Sequence, residues 1–178
     1  MANNDIVPGF DDEKDENLTI KLQEVPDIEG CLILVLNGYI NTYNSHYFQK
    51  QVQQAIELGF IRLIFDCNGL NSVSSTGIGS FTAFLKTVKS KGGDLILLEL
   101  QPKVNDVLQL LDVSRYFNIQ SNLGQSIGFF RSDGEVFPRI FPCPICSQKL
   151  QAVKTGRFRC SECKAFLSID NSGKALVG

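Results

Sequence analysis

The sequence predicts an α/β fold, a small mixed and largely parallel sheet flanked by helices, followed by a second and much smaller β domain. Short apolar runs alternate with helical patterns over residues 18–131, which is typical of parallel strands joined by right-handed crossovers. The 178 residues are 43% hydrophobic, enough for one core of ordinary size. After residue 134 the composition changes, and four cysteines stand in two pairs among prolines and phenylalanines.

Charge and composition divide the chain into three segments. Residues 1–17 carry six acids against Lys14, a net charge of −5, and we expect them to form a disordered acidic tail. Residues 18–134 carry ten acids and nine bases and form the predicted α/β domain. Residues 135–178 carry three acids and seven bases, a net charge of +4, and form the predicted small domain.

The first two strands come from stretches with different apolar patterns. "LTIKLQEV", residues 18–25, alternates apolar and polar residues, which predicts a strand with one exposed face. "CLILVLNGYI", residues 31–40, is almost continuously apolar, which predicts a buried strand paired with the first as a hairpin. Asn44 or Ser45 can cap a helix whose apolar residues recur at helical spacing: Phe48, Val52 and Ile56.

The remaining elements of the α/β domain follow in the same alternating order. "FIRLIFDC" predicts a buried strand that ends at Asp66, and a helix then begins at Ser75 and ends before Gly92. "DLILLEL" predicts a fourth strand, and Pro102 suits the first turn of a third helix. "YFNIQ" predicts a short fifth strand, and residues 123–130 a last helix.

The N-terminus has neither the basic region nor the apolar region of a secretory signal. No apolar run approaches the roughly 20 residues that a membrane span needs. We therefore expect a cytoplasmic protein that does not contact a membrane. Cysteines stay reduced in that compartment, so a clustered cysteine pattern favours a metal site over disulfides.

Three hydroxyl residues stand in a row where the third strand is joined to a helix: Ser74, Ser75 and Thr76. One interpretation is that Ser75 only caps the helix. An enzyme of the serine hydrolase type would need a glycine two residues before Ser75, where this chain has Val73. A phosphate-binding loop would need a lysine after the glycines, and none follows Gly77 or Gly79. We therefore do not expect an enzyme.

Three stretches of residues 18–131 together resemble the STAS domain of anti-sigma factor antagonists: "LNGYI", "FDCNGLNSVSSTGIGSF" and "KSKGGDLILLELQPKVNDVLQLLDVSRYF". The resemblance implies a small mixed sheet flanked by helices, and a protein partner that is an anti-sigma factor or a related kinase. It also implies a switch, in which the partner kinase phosphorylates a Ser or Thr at the start of the second helix. Counted from Asp66, that acceptor is Ser75, with Ser74 and Thr76 as alternatives. The partner-binding residues that it implies are Asp66, Asn68, Ser74, Thr76, Gly77 and Gly79.

Phosphorylation at this position has a predictable physical effect. A phosphate adds roughly −1.5 to −2 charges, which a helix N-terminus tolerates or favours by about 0.3 to 1 kcal/mol. On a surface that a partner must desolvate, an unpaired charge costs on the order of 2 to 5 kcal/mol of binding free energy. We therefore expect phosphorylation to release the partner without unfolding the domain. Gly77 and Gly79 are expected to reduce local bulk so that the partner can approach.

The four clustered cysteines predict a metal site. Cys143 and Cys146 form one CxxC pair, Cys160 and Cys163 another, and the 13 residues between the pairs allow a hairpin that turns at Gly156. Two such turns give a closed tetrahedral site of four thiolates, which binds a structural metal and leaves no open position for catalysis. We predict one structural Zn²⁺. The segment resembles the short zinc ribbons appended to many bacterial proteins and is expected to be a second interaction module.

The basic residues of the ribbon favour an alternative function, a nucleic-acid-binding regulator that uses the α/β domain as sensor or scaffold. Lysines and arginines stand beside Phe158 and Phe166. However, four thiolates and one Zn²⁺ reduce the net charge of the segment to about +2, which is a weak attraction for a polyanion. We therefore expect four phenylalanines to form the small core of the ribbon: Phe137, Phe141, Phe158 and Phe166.

Three further residues have chemistry that the predicted sites do not use. Cys31 and Cys67 lie in predicted buried strands, and we expect them to be inert core residues. His46 is the only histidine of the chain and is predicted to be a surface or capping residue near the start of the first helix.

Overall fold

A computed structural model describes residues 2–135, 139–152, 156–169 and 175–178. The chain divides into two compact units between Ser126 and Ile127. The boundary that composition predicts, after residue 134, falls eight residues later. The difference arises because the composition changes only after the helix Leu123–Glu135, whereas the division falls within it.

The first unit contains one five-stranded sheet in sequence order. Its strands are β1 (Leu18–Glu24), β2 (Cys31–Ile40), β3 (Arg62–Val73), β4 (Asp94–Leu98) and β5 (Asn118–Gln120). Strand β1 is antiparallel to β2, and the other neighbouring strands are parallel. The predicted mixed, largely parallel sheet is therefore confirmed.

Helices connect the parallel strands as predicted. Helix α1 (Asn3–Ile6) precedes the sheet, and α2 (Ser45–Glu57), α3 (Ser75–Ser90), α4 (Pro102–Leu110) and α5 (Leu123–Glu135) follow in order. Four phenylalanine rings join α2 and α3 to the sheet: Phe48, Phe65, Phe81 and Phe84, with ring centroids 5.1 to 6.1 Å apart. Since Phe65 lies in β3, this cluster fixes the middle of α3 relative to the sheet.

Strand β3 is longer than predicted. It does not end at Asp66 but continues to Val73, with register shifts against β2 on either side of Gly69. A Cβ atom at Gly69 would lie 2.9 Å from the backbone carbonyl oxygen of Leu36 and would also displace the Asn37 side chain, so a glycine suits this bulge. The Asn68-Gly69 pair is typical of a turn, and for this reason the sequence predicted a loop where the structure has a bulged strand.

The N-terminal segment is ordered, in contrast to the predicted disordered tail. Helix α1 and a 3₁₀ helix (Phe10–Asp12) place three apolar side chains in the main core: Ile6, Val7 and Phe10. The Asn3 side chain donates to the Ile20 carbonyl and accepts from the Leu22 N–H, both at 2.8 Å. The segment therefore covers the edge of β1. The prediction failed because the average composition of the segment is acidic, although three of its apolar residues are buried.

The second unit contains two small sheets. Strand β6 (Arg139–Pro142) pairs with β7 (Lys149–Ala152), and β8 (Gly156–Arg159), β9 (Phe166–Ile169) and β10 (Ala175–Val177) form a sheet in the order β10-β9-β8. The strands on either side of residues 153–155 thus lie in different sheets and do not form the hairpin that we predicted at Gly156.

The core of the second unit contains two of the four phenylalanines predicted for it. Phe141 is buried and Phe158 is half-buried against the core, together with Leu167 and Ile169. Phe166 is 60% exposed, so its predicted place in the core is wrong. The reason is strand alternation, because Leu167 and Ile169 face inward and Phe166 must then face outward. Phe137 lies outside the described residues.

Candidate functional site

The hydroxyl cluster begins immediately after β3. The Ser74 N–H donates to the carbonyl of Ile40 at 2.8 Å, which continues the β2–β3 ladder by one residue. Ser74 is also the N-cap of α3, since its Oγ accepts from the Gly77 N–H at 3.2 Å. The prediction that Ser75 is the cap is therefore wrong, and Ser74 has that role.

Ser75 and Thr76 form the exposed part of the cluster. Ser75 is the first residue of α3, and both side chains are exposed, whereas Ser74 is half-buried. The first backbone N–H groups of a helix have no partner within the helix and carry a partial positive charge. The site thus presents two accessible hydroxyls at a helix end that favours an added anion.

The two glycines of the cluster differ in their surroundings. A Cβ atom at Gly77 would lie 2.6 Å from Val73 Cγ2 and 2.8 Å from Ile40 Cγ2, so a side chain does not fit there. A Cβ atom at Gly79, which is exposed, would contact nothing within 4 Å. Gly77 therefore lets α3 pack closely on the ends of β2 and β3. Only Gly79 is exposed, so only there would the missing side chain leave room for a partner.

Asp66 and Asn68 lie apart from the hydroxyl cluster. Asp66 is paired with Val35 of β2, and Val73 is paired with Ile40, five residues further along that strand. At about 3.3 Å per residue, Asp66 and the end of β3 are about 17 Å apart. The Asp66 carboxylate accepts from the Asn68 N–H at 3.1 Å. The six residues expected to bind the partner thus form two groups rather than one.

A tyrosine that sequence reasoning missed lies on the loop beside the cluster. Tyr43 is 94% exposed on the connection between β2 and α2, three residues after the Ile40 carbonyl that binds Ser74. The loop is fixed by reciprocal bonds, since Asn41 Oδ1 accepts from the Asn44 N–H and Asn44 Oδ1 accepts from the Asn41 N–H. The spacing of the two asparagines in "NTYN" after a buried strand was the available signal.

The four clustered cysteines converge on one point. Their sulfur atoms all lie within 4.8 Å of one another, with Cys143 and Cys163 3.7 Å apart and Cys146 and Cys160 3.6 Å apart. Four thiolates at about 2.3 Å from a zinc ion have sulfur atoms about 3.8 Å apart at the corners of a tetrahedron. The arrangement therefore fits a tetrahedral metal ion of the size of zinc.

The two CxxC turns have the same backbone geometry. The first cysteine of each turn accepts from the N–H four residues on, and donates to the carbonyl five residues on. The fourth residue after each first cysteine has a positive φ, 62° at Ser147 and 60° at Lys164. Such paired turns direct two sulfur atoms each toward a shared ligand.

The backbone of each turn also stabilises a thiolate. The N–H groups of Cys146 and Ile145 lower the pKa of Cys143 to about 7, and those of Cys163 and Glu162 lower the pKa of Cys160. The Ala165 N–H acts in the same direction on Cys163, but burial and the neighbouring thiols raise its pKa to about 12. Thiolates this close to one another repel, and a divalent cation that binds all four sulfur atoms removes that repulsion.

The other cysteines and the histidine take no part in these sites. Burial raises the pKa of Cys31 to about 11, and burial followed by the charge of Asp66 raises the pKa of Cys67. Both are buried, as predicted, and that they are inert stays a prediction. His46 is exposed on the first turn of α2.

Within the described residues, no helix combines the length and the apolar character that crossing a membrane requires.

Comparisons with known proteins agree with this geometry. The family model described as the STAS domain matches residues 19–126, which is more than half of the chain. Residues 140–178 match a second model, described as a domain of unknown function, DUF8512. The two matches coincide with the sheet of the first unit and with the cysteine-containing unit.

Named relatives and solved structures match the first of these regions. The anti-sigma F factor antagonist of Paenibacillus polymyxa is 27% identical over 104 residues, which cover 58% of this chain and 84% of the relative. A crystal structure of a candidate anti-sigma factor antagonist from Thermotoga maritima is 25% identical and covers 63% of this chain and 94% of its own, with a TM-score of 0.59. The Bacillus cell fate determinant SpoIIAA in its phosphorylated form is 16% identical and covers 62% of this chain and 97% of its own, with a TM-score of 0.50.

Proposed function

The chain belongs to the STAS domain family, and we propose that it is a regulator that binds a protein partner through the surface around Ser75 and releases it on phosphorylation. Two of the proteins named above, from Paenibacillus polymyxa and Thermotoga maritima, are described as anti-sigma factor antagonists, which are regulatory proteins. An anti-sigma factor or a related kinase is accordingly the class of partner that we propose. No step of this function requires the chain to be an enzyme.

The accessibility of Ser75 is the observation that carries the proposal. Ser74 caps the helix, so the Ser75 hydroxyl is not needed for capping and is exposed to an approaching kinase. A phosphate on Ser75 would lie at the N-terminus of α3, where the helix dipole stabilises it by about 0.3 to 1 kcal/mol. Phosphorylation is therefore expected to leave the domain folded and to weaken binding of the partner.

The proposed partner surface has an aromatic residue as well as the hydroxyls. Strands β2 and β3 are parallel neighbours, so the loop that carries Tyr43 and the start of α3 lie at the same edge of the sheet. An exposed tyrosine on a rigid loop supplies apolar contact area at a low cost in conformational entropy. We propose that the partner contacts Tyr43 and Ser75 together. A phosphate beside that contact would have to be desolvated without a cation to pair with it.

We further propose that Cys143, Cys146, Cys160 and Cys163 hold one structural Zn²⁺. The metal would supply the folding free energy that so small a core lacks. A site with four protein ligands leaves no position for a substrate, so its role is to keep the second unit folded as an interaction module.

Charge substitution at Ser75 tests the switch. We expect Ser75→Ala to capture a partner from the native cell extract, and Ser75→Glu to capture at least about tenfold less of the same protein, as a buried unpaired charge requires. Mass spectrometry of the captured proteins and of the phosphorylated peptides of the native chain provides the measurement. Ser90→Glu adds the same charge at the other end of α3, where Ser90 is exposed, and is expected to leave capture unchanged.

Two results would contradict the proposal. Equal capture by the Ala and Glu variants would mean that Ser75 lies outside the interface. Equal loss of capture by Ser75→Glu and Ser90→Glu would mean that net charge, rather than the position of the charge, controls binding.

A further inference from the structure

The sheet of strands β8, β9 and β10 has one face directed into the core of the second unit and one directed outward. On β9, Leu167 and Ile169 are buried, whereas Phe166 is 60% exposed. Residues paired directly across neighbouring strands lie on the same face. The register pairs Arg159 with Phe166, and pairs both Arg157 and Leu176 with Ser168. We call the outward residues the ribbon face: Arg157, Arg159, Phe166, Ser168 and Leu176.

The ribbon face combines cations with an exposed ring. The guanidinium carbon of Arg159 lies 5.4 Å from the centroid of the Phe166 ring, and Arg159 Nε donates to the Lys164 carbonyl at 3.1 Å. That bond to the backbone restrains the Arg159 side chain beside the ring. Arg157 is exposed on the same face, and none of the five residues named for the face is an acid. The face thus combines two exposed arginines with two exposed apolar side chains, Phe166 and Leu176, which together indicate a binding surface.

We propose that the ribbon face binds single-stranded nucleic acid, a function that goes beyond the partner switch at Ser75. An exposed phenylalanine gives an unpaired base a surface on which to stack, and neighbouring arginines contact the phosphates. A base within a duplex is already stacked on both sides and is not available to the ring. A shallow depression beside the ring, lined by Arg157, Phe166, Ser168 and Gly178, leaves room for the sugar and for the edge of the base.

The small net charge of the second unit limits how much general electrostatic attraction can contribute to binding. Residues 135–178 carry a net charge of +4, which a bound Zn²⁺ with four thiolates reduces to about +2. Binding therefore depends on contacts between the two arginines and phosphates and on stacking of a base on Phe166, rather than on the net positive charge of the unit. Two phosphate contacts predict a slope of about −1.4 in a plot of log affinity against log salt concentration, which is shallow for a nucleic-acid-binding protein.

Fluorescence anisotropy of the full chain with a labelled oligothymidylate of about 12 nucleotides tests the proposal between about 50 and 200 mM salt. We expect Phe166→Ala to weaken binding by about tenfold or more with the slope unchanged, because it removes stacking and no charge. Phe166→Tyr keeps the ring and is expected to restore the affinity. Arg157→Ala is expected to make the slope shallower by about 0.7, the contribution of one phosphate contact to a single strand.

Lys149→Ala is the charge-matched control, because Lys149 is exposed on β7 in the other small sheet. It is expected to leave the slope unchanged. If Lys149→Ala and Arg157→Ala changed the slope equally, the proposal would be overturned, because binding would then depend on the overall charge of the unit and not on the ribbon face. So would unchanged affinity in Phe166→Ala, equal affinity for a duplex, competition by polyglutamate as strong as that by the oligonucleotide, or no saturable binding at the lowest salt. Metal content and a thermal transition like that of the wild type establish that each variant is folded.

Discussion

Gly77→Ala and Gly79→Ala are expected to change the stability of the first unit in opposite directions. A methyl group at Gly77 would lie 2.6 Å from Val73 and 2.8 Å from Ile40, both of which are β-branched residues of strands and cannot move aside easily. Overpacking of this kind costs about 1 to 3 kcal/mol, and the helix propensity gained from alanine returns at most about 1 kcal/mol. We therefore expect Gly77→Ala to lower the free energy of unfolding by as much as about 2 kcal/mol.

Gly79→Ala is the matched variant in the same helix. Its methyl group meets nothing within 4 Å, so only the propensity gain of about 0.5 to 1 kcal/mol remains. Urea unfolding, followed by far-UV circular dichroism, measures both variants. With a slope of about 2 kcal/mol per molar urea, the two midpoints should differ by as much as roughly 1.5 M, with Gly77→Ala the lower. A Gly77→Ala variant as stable as Gly79→Ala would refute the close packing of α3 on the ends of β2 and β3.

Three other predictions concern single side chains. Ser74→Ala should lower the free energy of unfolding by about 1 kcal/mol in the same assay, since it removes the cap; a larger effect of Ser75→Ala would return the cap to Ser75. Phe10→Ala should cost about 3 to 5 kcal/mol, as expected for a ring that is 1% exposed; an effect as small as that of the exposed Asp12→Ala would indicate a loose N-terminus. Elemental analysis should find about one zinc per wild-type chain and a loss of metal in Cys160→Ser; a metal-free wild type with reduced cysteines would exclude the zinc site.

The elements that the sequence predicted well are those in which one signal acted alone. Apolar periodicity predicted the strands and helices of the first unit. The spacing of the cysteines predicted that their four sulfur atoms lie close together, as they do. The errors arose where two signals competed. Asn68-Gly69 reads as a turn but forms a bulge, because the backbone bonds to β2 continue past it. Ser74 and Ser75 are both suitable caps, and only the position where β3 ends decides between them.

Two further errors had different physical causes. Acidic composition predicted disorder at the N-terminus, but burial depends on a few apolar side chains and not on the average of the segment. In the second unit, the abundance of phenylalanine predicted a core, whereas strand alternation directs Phe166 outward. Tyr43 has no composition signal. The basic residues beside Phe158 and Phe166 are visible in the sequence, but only the strand register shows that Arg157, Arg159 and Phe166 share one face.

The bonds from Asn3 to Ile20 and Leu22 affect where the chain can be cut. A fragment restricted to the matched STAS segment, residues 19–126, would lose Asn3 together with Ile6, Val7 and Phe10. Its first strand would then expose unpaired backbone groups beside uncovered apolar residues, and a second copy of the fragment offers the same groups in return. Self-association of such a fragment would be a product of the truncation. An expression plasmid for studies in solution should therefore encode the chain from its first residue.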